Sequence, residues 1–363
     1  VAICSNVHSP NKRHAWGGWR RWARAPTIFC ALLCATYAPL LEAKQYALLI
    51  GVSEYPALSQ SLQLSGPRYD VAALRALLLK AGVADEDIFW LSEGGSPQQL
   101  PTRAAILAQI SQLAPRLGPE DRLLLYFAGH GAQAPARGSH SVSEPDGLDE
   151  LFLPRDVRAW DGSVREVPNA LRDDEIGSAL QQLSGQGALI WAVMDSCHAG
   201  SMLRTAEEDH LGTRPRWRGV SPAQLGAPLR KSLAARPLPS WSTHALPRVV
   251  AFLAAAPDQR TAEEVPEPTA LLFPQGRASG AVASQRGAGQ TPSPSIGTRS
   301  SGPSAQHRGV FTLVLEQALL EHPRANFAQL FAAVERRYQQ QQRIAPKPML
   351  IAPEALLAAP ALP

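Results

Sequence analysis

The sequence has no run of 18 or more apolar residues, which excludes a polytopic membrane protein. No motif recurs at a fixed period, which argues against a solenoid or a propeller. Cysteine is scarce, with Cys4, Cys30, Cys34 and Cys197 the full complement. Surplus charge is confined to one end. Residues 1–43 carry Lys12, Arg13, Arg20, Arg21 and Arg24 against Glu42, and the rest of the chain holds 30 basic and 30 acidic side chains. A body without surplus base has nothing left to neutralise phosphates, so a nucleic-acid partner is excluded. What is present is a globular balance: 45% hydrophobic and 18% charged residues in a chain of 363, against wholesale disorder.

The first 43 residues read as an address. A basic stretch with several tryptophans (12–24) precedes a short apolar run (27–38), and Ala43 stands just before the first convincing strand at Lys44. That order describes a secretory signal peptide. The bland alternatives are a membrane anchor or a packed N-terminal helix, but the run is short for a span. A secreted or periplasmic bacterial protein is expected, with no stable membrane insertion once the leader is removed. Its removal would leave Cys197 as the one thiol. A lone cysteine cannot form an internal disulfide and is flagged as a nucleophile, although buried and inert is the usual fate of such residues.

Short apolar runs at 45–52, 88–91, 123–127, 151–154, 188–194 and 248–253 predict strands. Helical spacing predicts helices over 70–81, from Thr102 to 113, over 173–183, and near 310–321 and 326–340. Strands alternating with helices define an α/β fold, a three-layer αβα sandwich around a mostly parallel sheet. The body divides into 44–264, interrupted by an Arg/Pro-rich insertion at 204–245, then a Gly/Ser-rich insertion expected to be disordered at 275–308, helices within 309–345, and a Pro-rich tail at 346–363 without a clear fold of its own.

Sites in open α/β sheets gather at the carboxyl ends of strands. Two strands end in unusual residues: one in Gly129-His130-Gly131, the other in Asp195-Ser196-Cys197. If those strands are neighbours, imidazole and thiol meet, and the imidazole can activate the sulfur and protonate a leaving amine. The N–H groups of Gly131 and Cys197 could then donate to a developing oxyanion. Each residue alone has a structural explanation, and a four-ligand metal site lacks a second Cys or a spaced His set. The conjunction of the motifs carries the reading.

Taken with Tyr46-Ala-Leu-Leu-Ile-Gly51, Tyr126-Phe-Ala-Gly-His-Gly131, Asp146-Gly-Leu-Asp-Glu150, Asp173-Asp-Glu-Ile176 and Asp195-Ser-Cys-His-Ala-Gly200, the chain resembles the caspase-like cysteine peptidases, and most nearly the metacaspases and bacterial orthocaspases. The resemblance runs from about 44 to 204 and resumes loosely at 248–264 and 309–340. It implies a His130–Cys197 dyad, an acyl-enzyme thioester and cleavage after Arg or Lys. It also implies substrate-binding acids at Asp70, Asp195 and Glu264, with Glu263 the alternative to Glu264. Carboxylates around one cleft attract a guanidinium through charge-assisted bonds. For Asp70 the bland reading is a helix N-terminal residue.

Calcium-dependent relatives gather carboxylates that correspond to Asp149, Asp173 and Asp174, but the last position holds Arg204. A cation there weakens a site built for a hard divalent ion, so no cofactor is expected to be required. Arg214, Arg216, Arg218, Arg230, Lys231 and Arg236 in the 204–245 insertion are candidate self-processing sites. The expected partner is a peptide or protein with a basic residue before the cut. The rival readings are a catalytically quiet caspase-like peptide-binding or regulatory module, and a Cys197 redox sensor, which lacks a resolving thiol.

Overall fold

A computed structural model describes residues 43–135, 148–197, 216–228, 246–256, 259–266 and 306–362. The expected leader, Arg204 and most of both insertions lie outside the described residues. The strands are β1 (Gln45–Gly51), β2 (Ile88–Ser92), β3 (Arg122–Ala128), β4 (Gly131–Pro135), β5 (Leu148–Phe152), β6 (Leu171–Arg172), β7 (Leu189–Asp195), β8 (Arg216–Trp217), β9 (Val249–Leu253), β10 (Ala262–Glu264), β11 (Arg308–Gly309) and β12 (Met349–Ile351). The helices are α1 (Gly66–Lys80), α2 (Arg103–Leu113), α3 (Asp173–Ser184), α4 (Val310–Glu321) and α5 (Phe327–Gln340).

The near-continuous apolar runs form the strands of one sheet, ordered β12-β9-β7-β3-β1-β2. All its pairings are parallel except that of β12 with β9. Such strands are hydrophobic on both faces because helices cover both. Leu48, Ile50, Leu125, Phe127 and Ile190 pack on one face with Ile106 and Ile110 of α2 and Leu180 and Leu183 of α3. Ala47, Leu49, Tyr126, Trp191 and Phe252 point the other way, into a cluster with Leu74 of α1, Phe311 of α4 and Phe327 of α5. The result is the expected three-layer αβα sandwich. Phe252 is fully enclosed and lies 5.3 Å from the Trp191 ring and 5.2 Å from the Phe331 ring. Phe252→Ala is expected to cost about 3–5 kcal/mol of stability, read by urea unfolding.

Three local expectations change. Helix α1 begins at Gly66, four residues early, because Pro67 suits a first helical turn. Asp70 therefore lies inside the helix, fully buried, and is not an N-terminal dipole partner. Residues 131–135, outside every predicted strand, form β4, which pairs with β5. The tail expected to lack a fold supplies β12, and Leu356, Ala361 and Leu362 behind it are buried.

Candidate active site

Strands β3 and β7 are neighbours, with Ala128 opposite Asp195. His130 and Cys197 therefore each stand two residues past paired positions at the carboxyl edge. The two backbones approach so closely that a Cβ on residue 131 would overlap the Cys197 carbonyl oxygen. Glycine is the residue that permits this approach.

His130 is enclosed. Its Nε2 lies 2.8 Å from the Leu62 carbonyl oxygen. A carbonyl can only accept, so Nε2 carries the proton and Nδ1 keeps its lone pair. Nδ1 has no hydrogen-bond partner among the described residues. The backbone N–H of His130 donates to the Tyr55 hydroxyl at 2.7 Å, and the two rings lie 4.9 Å apart. The Tyr55 hydroxyl in turn donates to the Val52 carbonyl at 3.3 Å. Burial pushes the imidazole down to about 4, with the Leu62 bond opposing.

Cys197 is equally enclosed. Its thiol donates to the Thr261 carbonyl at 3.3 Å, and Sγ accepts from the Thr261 N–H at 3.1 Å. Burial pushes the thiol up to about 12, with the Thr261 N–H opposing. At neutral pH both groups are uncharged, and the sulfur is paired with Thr261 rather than with the imidazole.

The cleft between them is filled by the chain itself. The N–H groups of Gly131 and Cys197, the expected oxyanion donors, converge on the carbonyl oxygen of Arg218 at 3.1 and 2.9 Å. The Arg218 guanidinium is fully buried among acids. Its Nη1 is 2.9 Å from Asp195, and its Nη2 meets Asp70 and lies 3.4 Å from Glu263. Burial works against this charge, but Asp195, Asp70 and Glu263 outweigh it and raise the guanidinium's pKa well above its ordinary value.

Each carboxylate also has donors of its own. Asp70 accepts from Arg308 Nε at 2.6 Å and from the Gly309 N–H, and Arg308 is held from its other side by Glu316 at 2.7 Å. Asp195 accepts from the hydroxyls of Thr261 and Thr312 at 3.2 and 2.5 Å. Burial raises its pKa, Arg218 opposes most strongly and Asp70 adds to the rise. Glu263 accepts from the N–H groups of Ser65 and Gly66 at 3.2 and 2.9 Å. The carboxylates are thus anchored independently of the guanidinium they hold. A Cβ on Gly309 would strike Asp195 Oδ2 and come within 2.6 Å of Arg218 Nη1, so the pocket wall has room for glycine alone.

The expected acid Glu264 is not in this pocket. It points away and pairs with Arg343 at 2.6 Å, while its neighbour Glu263 faces Arg218. Adjacent strand residues face opposite ways, and the pairing of β10 with β8 and β11 selects Glu263. Sequence reasoning also missed Tyr55, Leu62, Thr261, Arg308 and Thr312 as supports. Arg218 was one of six basic residues in an insertion, with no local signal to set it apart.

Asp173 and Asp174, expected together with Asp149 as calcium acids, stand in the first turn of α3. The Asp149 carboxylate is paired with the Arg172 guanidinium, so a cation already stands against it. No group of three His, Cys, Asp or Glu suited to a metal occurs among the described residues. Arg204 lies outside them.

The family model described as metacaspase, peptidase C14 domain matches residues 45–206. Metacaspase-1 of Candida albicans is 31% identical over 44% of this chain and 34% of its own length. Metacaspase-1A of Aspergillus niger is 34% identical over 44% of this chain and 37% of its own length. The chain thus spans about a third of the length of the curated relatives it matches. A crystal structure of protein GSU0716 from Geobacter sulfurreducens is similar with a TM-score of 0.51 at 18% identity, covering 88% of this chain and 98% of that one. That likeness speaks for the fold alone. Fold and matches together define a caspase-like domain. Within that class, residues 45–206 are similar to the metacaspases.

Proposed function

We propose that the protein is a cysteine endopeptidase that cuts after arginine, and less readily after lysine, through His130 and Cys197. The observation that carries this reading is the pose of Arg218. A peptide carbonyl sits on two convergent N–H donors beside the thiol, and its side chain fills a pocket of three anchored carboxylates. A forked guanidinium can address several carboxylates at once, whereas an ammonium is a point charge. In the proposed reaction Nδ1 of His130 takes the thiol proton, Cys197 Sγ attacks the carbonyl carbon, and the developing oxyanion stays on the Gly131 and Cys197 N–H groups. The imidazolium protonates the leaving amine, and water then hydrolyses the thioester. The Leu62 carbonyl holds the imidazole in the tautomer this sequence needs, and the Tyr55 hydroxyl holds the His130 backbone. No step passes through calcium. Export through the expected leader belongs to the same proposal.

The test uses the full chain with Arg218→Gln, which takes the guanidinium away from the three acids and so weakens the hold of this segment on the cleft, and a fluorogenic peptide amide ending in Arg, with and without calcium. Turnover is expected in both conditions. Cys197→Ala in this background is expected to lower it by about 10⁴-fold or more, and His130→Ala by about 10²–10⁴-fold. A peptide ending in Asp that is cut faster would refute the pocket assignment. No turnover by any form would favour the catalytically quiet module.

A further inference from the structure

The segment through the cleft is held on both sides of the Arg218–Gly219 bond, but unequally. Before the bond, β8 pairs antiparallel with β10, placing Trp217 opposite Ala262, and the Arg218 N–H donates to the Thr261 carbonyl at 3.0 Å. Apart from Arg218, this side is superficial, since Arg216 and Trp217 are exposed. After the bond the chain is embedded. Gly219 bridges Gly131, and the Val220 N–H donates to the Gly131 carbonyl at 2.9 Å. Val220 and Leu225 are fully buried members of the hydrophobic cluster that contains β1, β3 and β7 side chains. The arm also folds on itself, with the Ala227 N–H on the Pro222 carbonyl at 2.8 Å, and it is tied to the scaffold through the Trp160 N–H and the Leu225 carbonyl at 2.8 Å.

We infer that the protein acylates itself at Arg218 and reseals the Arg218–Gly219 bond from the thioester, because residues 219–227 remain docked after the cut. This rests on the peptidase reading above. In the forward step a bond forms between Cys197 Sγ and the Arg218 carbonyl carbon, the bond to the Gly219 nitrogen breaks, and the thiol proton passes through His130 to that nitrogen. In the reverse step the Gly219 amine attacks the thioester, gives up a proton to His130, and the sulfur leaves and recovers it. Hydrolysis competes by adding water, which yields an Arg218 carboxylate and the free thiol. An amine fixed beside the acyl carbon has an effective concentration far above that of any free nucleophile. The docked arm therefore favours resealing, and the segment behaves as a substrate that inhibits. It also defines what a foreign substrate must offer beyond the cut: a small residue first, then an apolar one.

The experiment treats the full wild-type chain with hydroxylamine, a small nucleophile that captures thioesters, and follows it by intact mass spectrometry. Without hydroxylamine the chain is expected to stay single. With it, one fragment ends in the Arg218 hydroxamate and the other begins at Gly219, and Cys197→Ala yields neither. Val220→Thr and Leu225→Ala, which loosen the arm, are expected to nick about tenfold faster than wild type or more without hydroxylamine. The wild-type capture does not depend on how either variant folds. Absence of the hydroxamate, in a preparation whose Arg218→Gln counterpart cuts the arginine peptide, overturns self-acylation and leaves the peptidase reading standing. Wild type that nicks as fast as the loosened variants overturns the resealing. Failure of the Arg218→Gln counterpart to cut the peptide removes the peptidase reading, and this inference with it.

Discussion

Replacing Asp70 by Asn is expected to destabilise the protein by about 3–5 kcal/mol, the cost of breaking a buried ion pair from one side. Asp70 is fully buried and shared between two arginines, Arg218 and Arg308. Asn keeps the shape but removes the charge that both guanidinium groups lean on. Urea unfolding in a Cys197→Ala background, where self-cutting cannot intervene, reads the loss. The same substitution in the Arg218→Gln protein is expected to lower kcat/KM for an arginine peptide by about two orders of magnitude. Glu264→Gln is the contrasting control. Its side chain pairs with Arg343 near the surface, so its effect on stability should stay within about 0.5 kcal/mol. Equal effects from the two substitutions would sink the assignment of Asp70 to the pocket.

The second large effect concerns pH. An imidazole held at about 4 binds its proton less readily in the folded chain than in the unfolded one. The unfolded state therefore takes up protons first as the solution is acidified. The stability that follows is complete above about pH 6.5 and is lost as pH falls toward 4, by about 3 kcal/mol in all. The Cys197 thiol acts in the opposite direction: raised to about 12 by burial, its contribution is complete below the ordinary thiol value and is lost as pH rises toward 12. Unfolding curves at pH 8 and pH 5 for His130→Gln and its parent, both in a Cys197→Ala background, isolate the first effect. The parent should lose more stability on acidification than the variant. Parallel losses would mean that His130 is not held in its neutral form by burial.

The architecture and the approach of the two strand ends that carry His130 and Cys197 were legible because both follow from local pattern. Apolar runs of strand length between helical periods imply a covered parallel sheet, and its carboxyl edge is where Gly129-His130-Gly131 and Asp195-Ser196-Cys197 had to come together. What stayed hidden depends on register and on long-range pairing. Glu263 and Glu264 are chemically the same, and only the pairing of β10 with its neighbours decides which one faces inward. Arg218 lies in a polar stretch whose composition suggests solvent. Its burial comes from three acids contributed by α1, β7 and β10, which no sequence window contains. Arg308 ends a Gly/Ser-rich stretch and is nonetheless held by Asp70 and Glu316. The tail reads as formless because three residues are too few for a pattern, yet β9 offers them a ladder.

That short C-terminal strand settles what the rim of the sheet can do. Met349–Ile351 lie antiparallel along Ala251–Leu253, so this border of the sheet is stitched by the molecule's own thread. A neighbouring molecule seeking to extend the sheet through β9 would first have to peel that thread away. A chain cut short ahead of Met349 would instead offer a row of unsatisfied amides and carbonyls, and such raw hems stick to one another.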